Sequence, residues 1–195
     1  HRGRGGPFLR GAAQVASVRM PSTPKGPRRR ASSEETPEER ERLRVPESWR
    51  TRFDRWGFNL FPAYRGTGGR IEFIASDWRR VRVRLPLNRR TRNYVGTLFG
   101  GSLYGAVDPI YMVMLIKVLG PGYEVWDKAA TIRFRRPGRS TLFATFRRDE
   151  PLLDEIRTAV AREGRCEPRF TVDLVDFQGE VVASCEKVLS VRART

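Results

Sequence analysis

The sequence predicts an α+β fold in which an antiparallel sheet wraps one long central helix, with a further helix at the N-terminal side. Three observations predict it. The segment NYVGTLFGGSLYGAVDPIYMVMLIKVLG, Asn93 to Gly120, is apolar on nearly all sides instead of along one stripe, as a helix enclosed by a sheet requires. The runs on either side of it alternate apolar and polar residues at the period of a strand. The elements follow in the order helix, two strands, long helix, two strands, helix, two strands. A chain of 195 residues with 39% hydrophobic content is enough for one domain with a real core.

Residues 1–33 are rich in Gly, Pro, Ser and Arg and read as a disordered basic tail, leaving 34–195 as a single domain with its core in 45–193. From Ser33 the composition shifts to helix formers. Pro46 stands at a plausible first turn, Trp49, Phe53 and Trp56 fall at i, i+4 and i+7 as a packing face, and Gly57 closes the helix. RIEFIAS and RRVRVRLP then make a hairpin around Ser76-Asp77, with Ile71, Phe73 and Ala75 on one face of the first strand and Val81, Val83 and Leu85 on one face of the second.

The basic loop NRRTRN leads into the long helix, which begins between Gly96 and Gly101 with Thr97 as candidate cap. Pro109 removes a backbone donor and crowds the carbonyl of Gly105, so the helix bends there. YEVWDKAATIRFRRPG and RSTLFATFRRD read as strands. PLLDEIRTAVAREG is an amphipathic helix with Pro151 at its start and Gly164 at its end. PRFTVDLVDFQ and EVVASCEKVLSVRA are the last two strands. A two-residue turn at Gln178-Gly179 places Cys185 opposite Val172 and away from Cys166, so no disulfide is expected and the compartment is a reducing, cytoplasmic one.

Thirty-eight basic against twenty-two acidic residues give a net charge of +16, and only Lys25, Lys117, Lys128 and Lys187 are lysines. Clustered Arg suits phosphate, whether of nucleic acid, an anionic membrane or a phosphorylated cofactor. Half of that charge comes from the eight basic and no acidic residues of 1–30. This Arg-rich, acid-poor start resembles a transit peptide, and further upstream sequence accounts for it equally. Two separated cysteines and the single His1 supply no metal cluster. Asp108 and Lys117 interrupt the best candidate for a membrane span.

Two features of the central segment carry chemistry. Gly100-Gly101 leaves amides at a helix start uncovered by side chains, a geometry that attracts a negative oxygen or a developing oxyanion and that equally serves close helix–strand packing. Asp108 places a carboxylate inside an apolar helix, where it must be hydrogen-bonded, protonated or functional. A structural cap on the bend is the other reading.

The run NYVGTLFGG, with an acid fifteen residues after its Asn, resembles the central motif of hotdog-fold acyl-CoA thioesterases of the phenylacetyl-CoA thioesterase-like group. With VWDKAATIRFRRPG downstream, the pattern is most similar to a hotdog branch known only as a domain of unknown function. The resemblance spans residues 45–193. It implies that Asp108 is general base or nucleophile toward a thioester, that Gly100 supplies an oxyanion amide, and that Asn93 orients the water or the carbonyl. It also implies a homodimer, because eight residues of helix separate Gly100 from Asp108 by about 12 Å, too far to act on one carbon. Such dimers can pair further. Asp127 and Lys128 fall where the group has a polar residue near the reacting centre, or form a surface ion pair with each other. Gly101 and Phe99 line the substrate site, and Phe99 stands where the thioesterases have a His. That missing His also argues against the dehydration chemistry of related hotdog enzymes. Coenzyme A, as part of the substrate, gives a use to Arg133, Arg135, Arg136 and Arg139, or to Arg89, Arg90 and Arg92. No metal or redox cofactor is expected. The competing expectations are a non-catalytic acyl-CoA or fatty-acyl binding protein, which Phe99 favours, and a nucleic-acid-associated protein, which the buried reading of Trp49, Phe53 and Trp56 disfavours.

Overall fold

The computed structural model describes residues 45–194; the tail expected over 1–33 and the part of the first helix expected before residue 45 lie outside the described residues. The elements are α1 (Trp49–Leu60), α2 (Pro62–Thr67), β1 (Arg70–Ile74), β2 (Arg80–Leu85), α3 (Gly100–Val107), α4 (Ile110–Leu119), β3 (Tyr123–Phe134), β4 (Leu142–Arg147), α5 (Glu150–Glu163), β5 (Arg165–Cys166), β6 (Arg169–Val175) and β7 (Val181–Ala193). The strands form one antiparallel sheet in the order β1-β2-β4-β6-β7-β3, with the short β5 also paired to β7.

This is the hotdog arrangement: α3 and α4 form one broken central helix and the sheet closes over it. Leu103, Ala106, Val107, Ile110, Met114 and Leu115 are buried against the inward side chains of β2, β4, β6 and β7. Gly100–Leu119 is long and apolar enough to cross a membrane by length and composition alone. Here the same run is the core of the sheet's concave face.

Several local expectations are corrected. The first helix starts at Trp49, where Ser48 caps it by accepting from the Thr51 amide while Thr51 Oγ1 accepts from the Ser48 amide. Pro46 precedes the helix, and Gly57 lies within it. Its aromatic stripe is not a packing face: Thr51 is buried and Phe58 packs on the core, whereas Trp49, Phe53 and Trp56 stand exposed. In β1 a register shift between Ile71 and Phe73 turns Ile74 inward with Ile71 and leaves Phe73 paired with Arg82. Thr97 does not cap the central helix; the N-cap position is Phe99, which offers no side-chain acceptor.

The last hairpin keeps its expected register by another route. Its loop is three residues long, closed between Asp176 and Glu180 with Gly179 at φ 81°, and a bulge at Leu174/Val175 restores the pairing. Val172 therefore does pair with Cys185, and both cysteines are free. α5 is amphipathic as expected, with Leu153, Ile156 and Val160 buried and Gly164 left-handed at its end.

Among the described residues one buried charged side chain has no hydrogen-bonding partner. Arg148 follows β4, and its guanidinium lies between the rings of Tyr111 and Phe170, 4.5 and 3.8 Å from their centroids. None of its side-chain nitrogens finds an acceptor among the described residues. Burial pushes its pKa down to about 10.

Candidate active site

The break in the central helix positions the site. Pro109 has no N–H to give the Gly105 carbonyl, so α3 ends at Val107 and α4 begins at Ile110. The Asp108 amide still donates to the Tyr104 carbonyl at 2.9 Å. Its carbonyl and carboxylate both meet β7.

There they meet Lys187, whose side chain is fully buried. Its Nζ donates to the Asp108 carbonyl at 2.8 Å and to Asp108 Oδ1 at 2.5 Å, and lies 2.8 Å from Asp127 Oδ1. An ammonium has three protons, and three acceptors surround this one. Burying a lone ammonium costs several kcal/mol, so Lys187 is tolerable here because two carboxylates converge on it. The Tyr104 ring centroid lies 5.6 Å from Nζ. The Asp108 side chain is 37% exposed and that of Asp127 27%. Of the alternatives open for a carboxylate in this helix, Asp108 is the hydrogen-bonded one, and it is partly exposed instead of buried.

Asp127 reaches the cluster because β3 is bulged. Asp127 pairs with Leu189 and Ala129 with Val188, leaving Lys128 as the extra residue. Paired residues share a face, so Asp127 points with Leu189 toward the helix, and beyond the bulge Ala130 opposite Lys187 and Ile132 opposite Cys185 do the same. Lys128 turns away and binds Glu167 at 2.5 Å. The expected Asp127–Lys128 pair is therefore replaced by Asp127–Lys187 and Lys128–Glu167.

Electrostatically the cluster holds two carboxylates against one ammonium. Burial, opposed by Lys187 and reinforced by Asp108, pushes the Asp127 carboxyl above the usual carboxylate range. Burial and then the Asp108 carboxylate push the Tyr104 phenol up, so it remains a proton donor at neutral pH. Burial pushes the Cys185 thiol up to about 11, despite Lys187. Cys185 is thus no nucleophile.

The start of α3 forms a second feature. Asn93 Oδ1 accepts from the amides of Thr97 at 2.9 Å and Val95 at 3.1 Å, and Asn93 Nδ2 donates to Thr97 Oγ1 at 2.9 Å. Asn93 therefore braces the loop 93–98 that presents Phe99, Gly100 and Gly101. A Cβ on Gly100 would lie 3.1 Å from the Phe134 ring, and one on Gly101 would lie 2.4 Å from the Phe99 ring, so a side chain at either position would press on these exposed rings. Within one chain these amides and Asp108 are separated by the full length of α3, about 12 Å.

Around this helix start, Tyr94, Val95, Phe99 and Phe134 are exposed. Phe134 ends β3, a twelve-residue strand that pairs only with β7 among the described strands and so leaves one edge open. Arg133 just before Phe134 in β3, and Arg135, Arg136 and Arg139 after it, are exposed. Arg136 binds Glu180 at 2.5 Å.

Sequence reading missed Lys187 and Tyr104. The signal for Lys187 was available: it occupies the inward parity of β7 between Cys185 and Leu189, and it is one of four lysines in an arginine-rich chain. Tyr104 lies one helical turn before Asp108 and was hidden by its apolar neighbours.

Comparisons with known proteins agree with this fold. Residues 50–191 match a family model described as a domain of unknown function, DUF4442. The fold is similar to that of a protein of unknown function and probable thioesterase from Pseudomonas aeruginosa, at 24% identity and a TM-score of 0.67, covering 77% of this chain and 99% of that one. A protein of unknown function from Chlorobaculum tepidum matches at 17% identity and a TM-score of 0.60, covering 74% and 94%. A thioesterase from Haemophilus influenzae matches at 16% identity and a TM-score of 0.52, covering 70% and 87%. No curated protein matches the chain significantly.

Proposed function

This chain belongs to the family described as a domain of unknown function, DUF4442, over residues 50–191, and from that membership and its hotdog fold we propose that it is a thioester hydrolase of the acyl-CoA thioesterase type, working as a homodimer. The observation that carries the reading is Asp108: a partly exposed carboxylate at the break of the central helix, with Oδ1 held by Lys187.

In this reading a water molecule gives a proton to Asp108 and attacks the thioester carbonyl carbon. The tetrahedral oxyanion rests on the Gly100 amide of the other subunit, and coenzyme A leaves as its thiol with the carboxylic acid as co-product. Lys187 orients Asp108 and ties it to Asp127. Asn93 holds the loop that aims the Gly100 and Gly101 amides; to orient the water itself it would have to release Thr97. Phe99 lines the acyl side. Arg133, Arg135 and Arg139, which make no ion pair among the described residues, are the groups offered to the coenzyme A phosphates, with Arg136 beside them.

The dimer is supported by the open β3 edge, by the exposed Tyr94, Val95, Phe99 and Phe134 beside it, and by the distance that keeps Gly100 from its own Asp108. An edge strand this long is a template for a second copy. Pairing β3 with β3 would bring the helix start of one subunit toward the carboxylates of the other. The two free cysteines fit a reducing, cytoplasmic location.

Phe99 favours a second reading. Its ring packs over Gly101 and donates nothing to a carbonyl, as expected of a protein that holds an acyl chain without cleaving it. Release of coenzyme A from short, aromatic and long acyl-CoAs, compared between the native chain and Asp108→Ala, tests both. Release lost only in a variant that still folds and dimerises supports hydrolysis. A thioester recovered intact after long incubation with the native protein supports binding alone.

A further inference from the structure

Five large apolar side chains stand outside the fold on α1 and the residue after it: Trp49, Phe53, Trp56, Leu60 and Phe61, at 75, 68, 61, 46 and 60% exposure. At 100° per residue the first four fall within an arc of about 60°. The opposite side of the helix carries Thr51 and Phe58, which fasten it to the body. The fold thus holds α1 by its far side and presents the aromatic arc outward.

The surroundings of the arc are basic. Arg50 and Arg52 flank it on either side, and the Arg50 guanidinium lies 5.3 Å from the Trp49 ring centroid. Arg65, Arg70 and Arg90 line a cleft of about 360 Å³ whose rim includes Trp56 and Leu60. None of these five arginines forms an ion pair among the described residues. The nearby acids are engaged elsewhere: Glu47 with Arg55, Asp54 with Lys117, and Glu72 with Arg82 and Arg84.

Each candidate occupant can be weighed by charge and shape. A two-fold contact between copies through this face would set its arginines against the same arginines of the partner. Nucleic acid would satisfy the charge, but a convex helical arc that includes Leu60 offers bases no flat stacking platform. A lipid surface meets both demands, because aromatic side chains settle at the boundary between headgroups and acyl chains while arginines take the phosphates. We propose that α1 docks this protein onto an anionic phospholipid surface, with Trp49, Phe53, Trp56 and Leu60 entering the interface and Arg65, Arg70 and Arg90 receiving headgroup phosphates. The docking face is separate from the Asp108 cluster and holds whether or not that cluster hydrolyses a thioester.

Co-sedimentation of the full chain with phosphatidylcholine vesicles, with and without phosphatidylglycerol, tests the proposal. Binding is expected only to the anionic vesicles. It should weaken about tenfold or more in Phe53→Ser/Trp56→Ser and also fall in Arg65→Glu/Arg70→Glu, with thermal unfolding of both variants unchanged because the altered side chains are exposed. The eight basic residues of 1–30 attract anionic lipid by themselves, so equal binding by the native chain and both variants would overturn the proposal. It would also be overturned by an oligomer that dissociates in the aromatic variant while vesicle binding persists, or by loss of duplex DNA binding with vesicle binding intact.

Discussion

Lys187 is bonded twice to Asp108, at 2.8 Å to its carbonyl and 2.5 Å to its carboxylate, and so joins the central helix to strand β7 at the one place where the helix is broken. The bond compensates for the break that Pro109 introduces, since a carbonyl at an interrupted turn takes its donor from the sheet. Removing the ammonium leaves two carboxylates facing each other without a counter-charge. Lys187→Met is expected to destabilise the fold by about 3–5 kcal/mol, read from urea midpoints, with Lys187→Arg failing to restore it because the planar fork is larger than the site. Unchanged stability in Lys187→Met would mean that the carboxylates are held by other groups.

Asp108→Asn keeps the side chain's size and its bond to Lys187 but removes the base. If the proposed hydrolysis is correct, kcat falls about 10²–10⁴-fold while the unfolding midpoint moves little. A variant that keeps its full rate would exclude Asp108 as the group that takes the proton.

Asp127 gives a pH signature whose sign is fixed by its raised pKa. Its contribution to stability is fully present below the ordinary value of 3.8 and is lost as pH rises through the higher folded value. The stability of the native chain relative to Asp127→Asn should therefore decline as pH rises across that window and level off above it. A rise over the same range would mean that attraction to Lys187 outweighs burial.

Cys185 should be chemically silent in the native protein. With its pKa near 11, about one thiol in a thousand is ionised at pH 8, and its side chain is buried. Titration with a thiol reagent should count Cys185 only after unfolding; rapid labelling of both cysteines in the folded protein would contradict that environment.

Arg148 offers a test in the opposite direction. A guanidinium buried between Tyr111 and Phe170 without acceptors stabilises through ring contact and costs through lost hydration. Arg148→Met keeps the contact and drops the cost, so its melting temperature should equal or exceed that of the native chain. A fall equivalent to more than about 2 kcal/mol would mean that the charge is paired through bound water.

The fold was legible because its signals are collective. Dozens of residues from Ile71 to Val191 repeat the strand period, and the all-round apolarity of Leu98 to Leu115 needs a sheet around it. The bend at Pro109 followed from a single residue with a strong local rule, whereas the pairing of Val172 with Cys185 matches its expectation only because a three-residue loop and a bulge offset each other. The site was only half legible. Asp108 stood out as a charge in an apolar run, but its partner lies seventy-nine residues away, and no local rule links them. The aromatic stripe of α1 was misread because periodicity marks a helix face without saying whether that face turns in or out. The bulges in β1 and β3 were invisible because an extra residue leaves no compositional trace.

The β3 bulge has a consequence for how relatives are recognised. Along an unbroken strand, positions that face the same way differ by even numbers, yet Asp127 and Ile132 share a face five places apart. A relative without the extra residue at Lys128 would carry the same carboxylate and the same apolar side chains one step closer together. Ungapped motifs drawn across this strand will therefore separate chains whose clusters are alike, whereas alignments that permit a single gap at Lys128 will unite them.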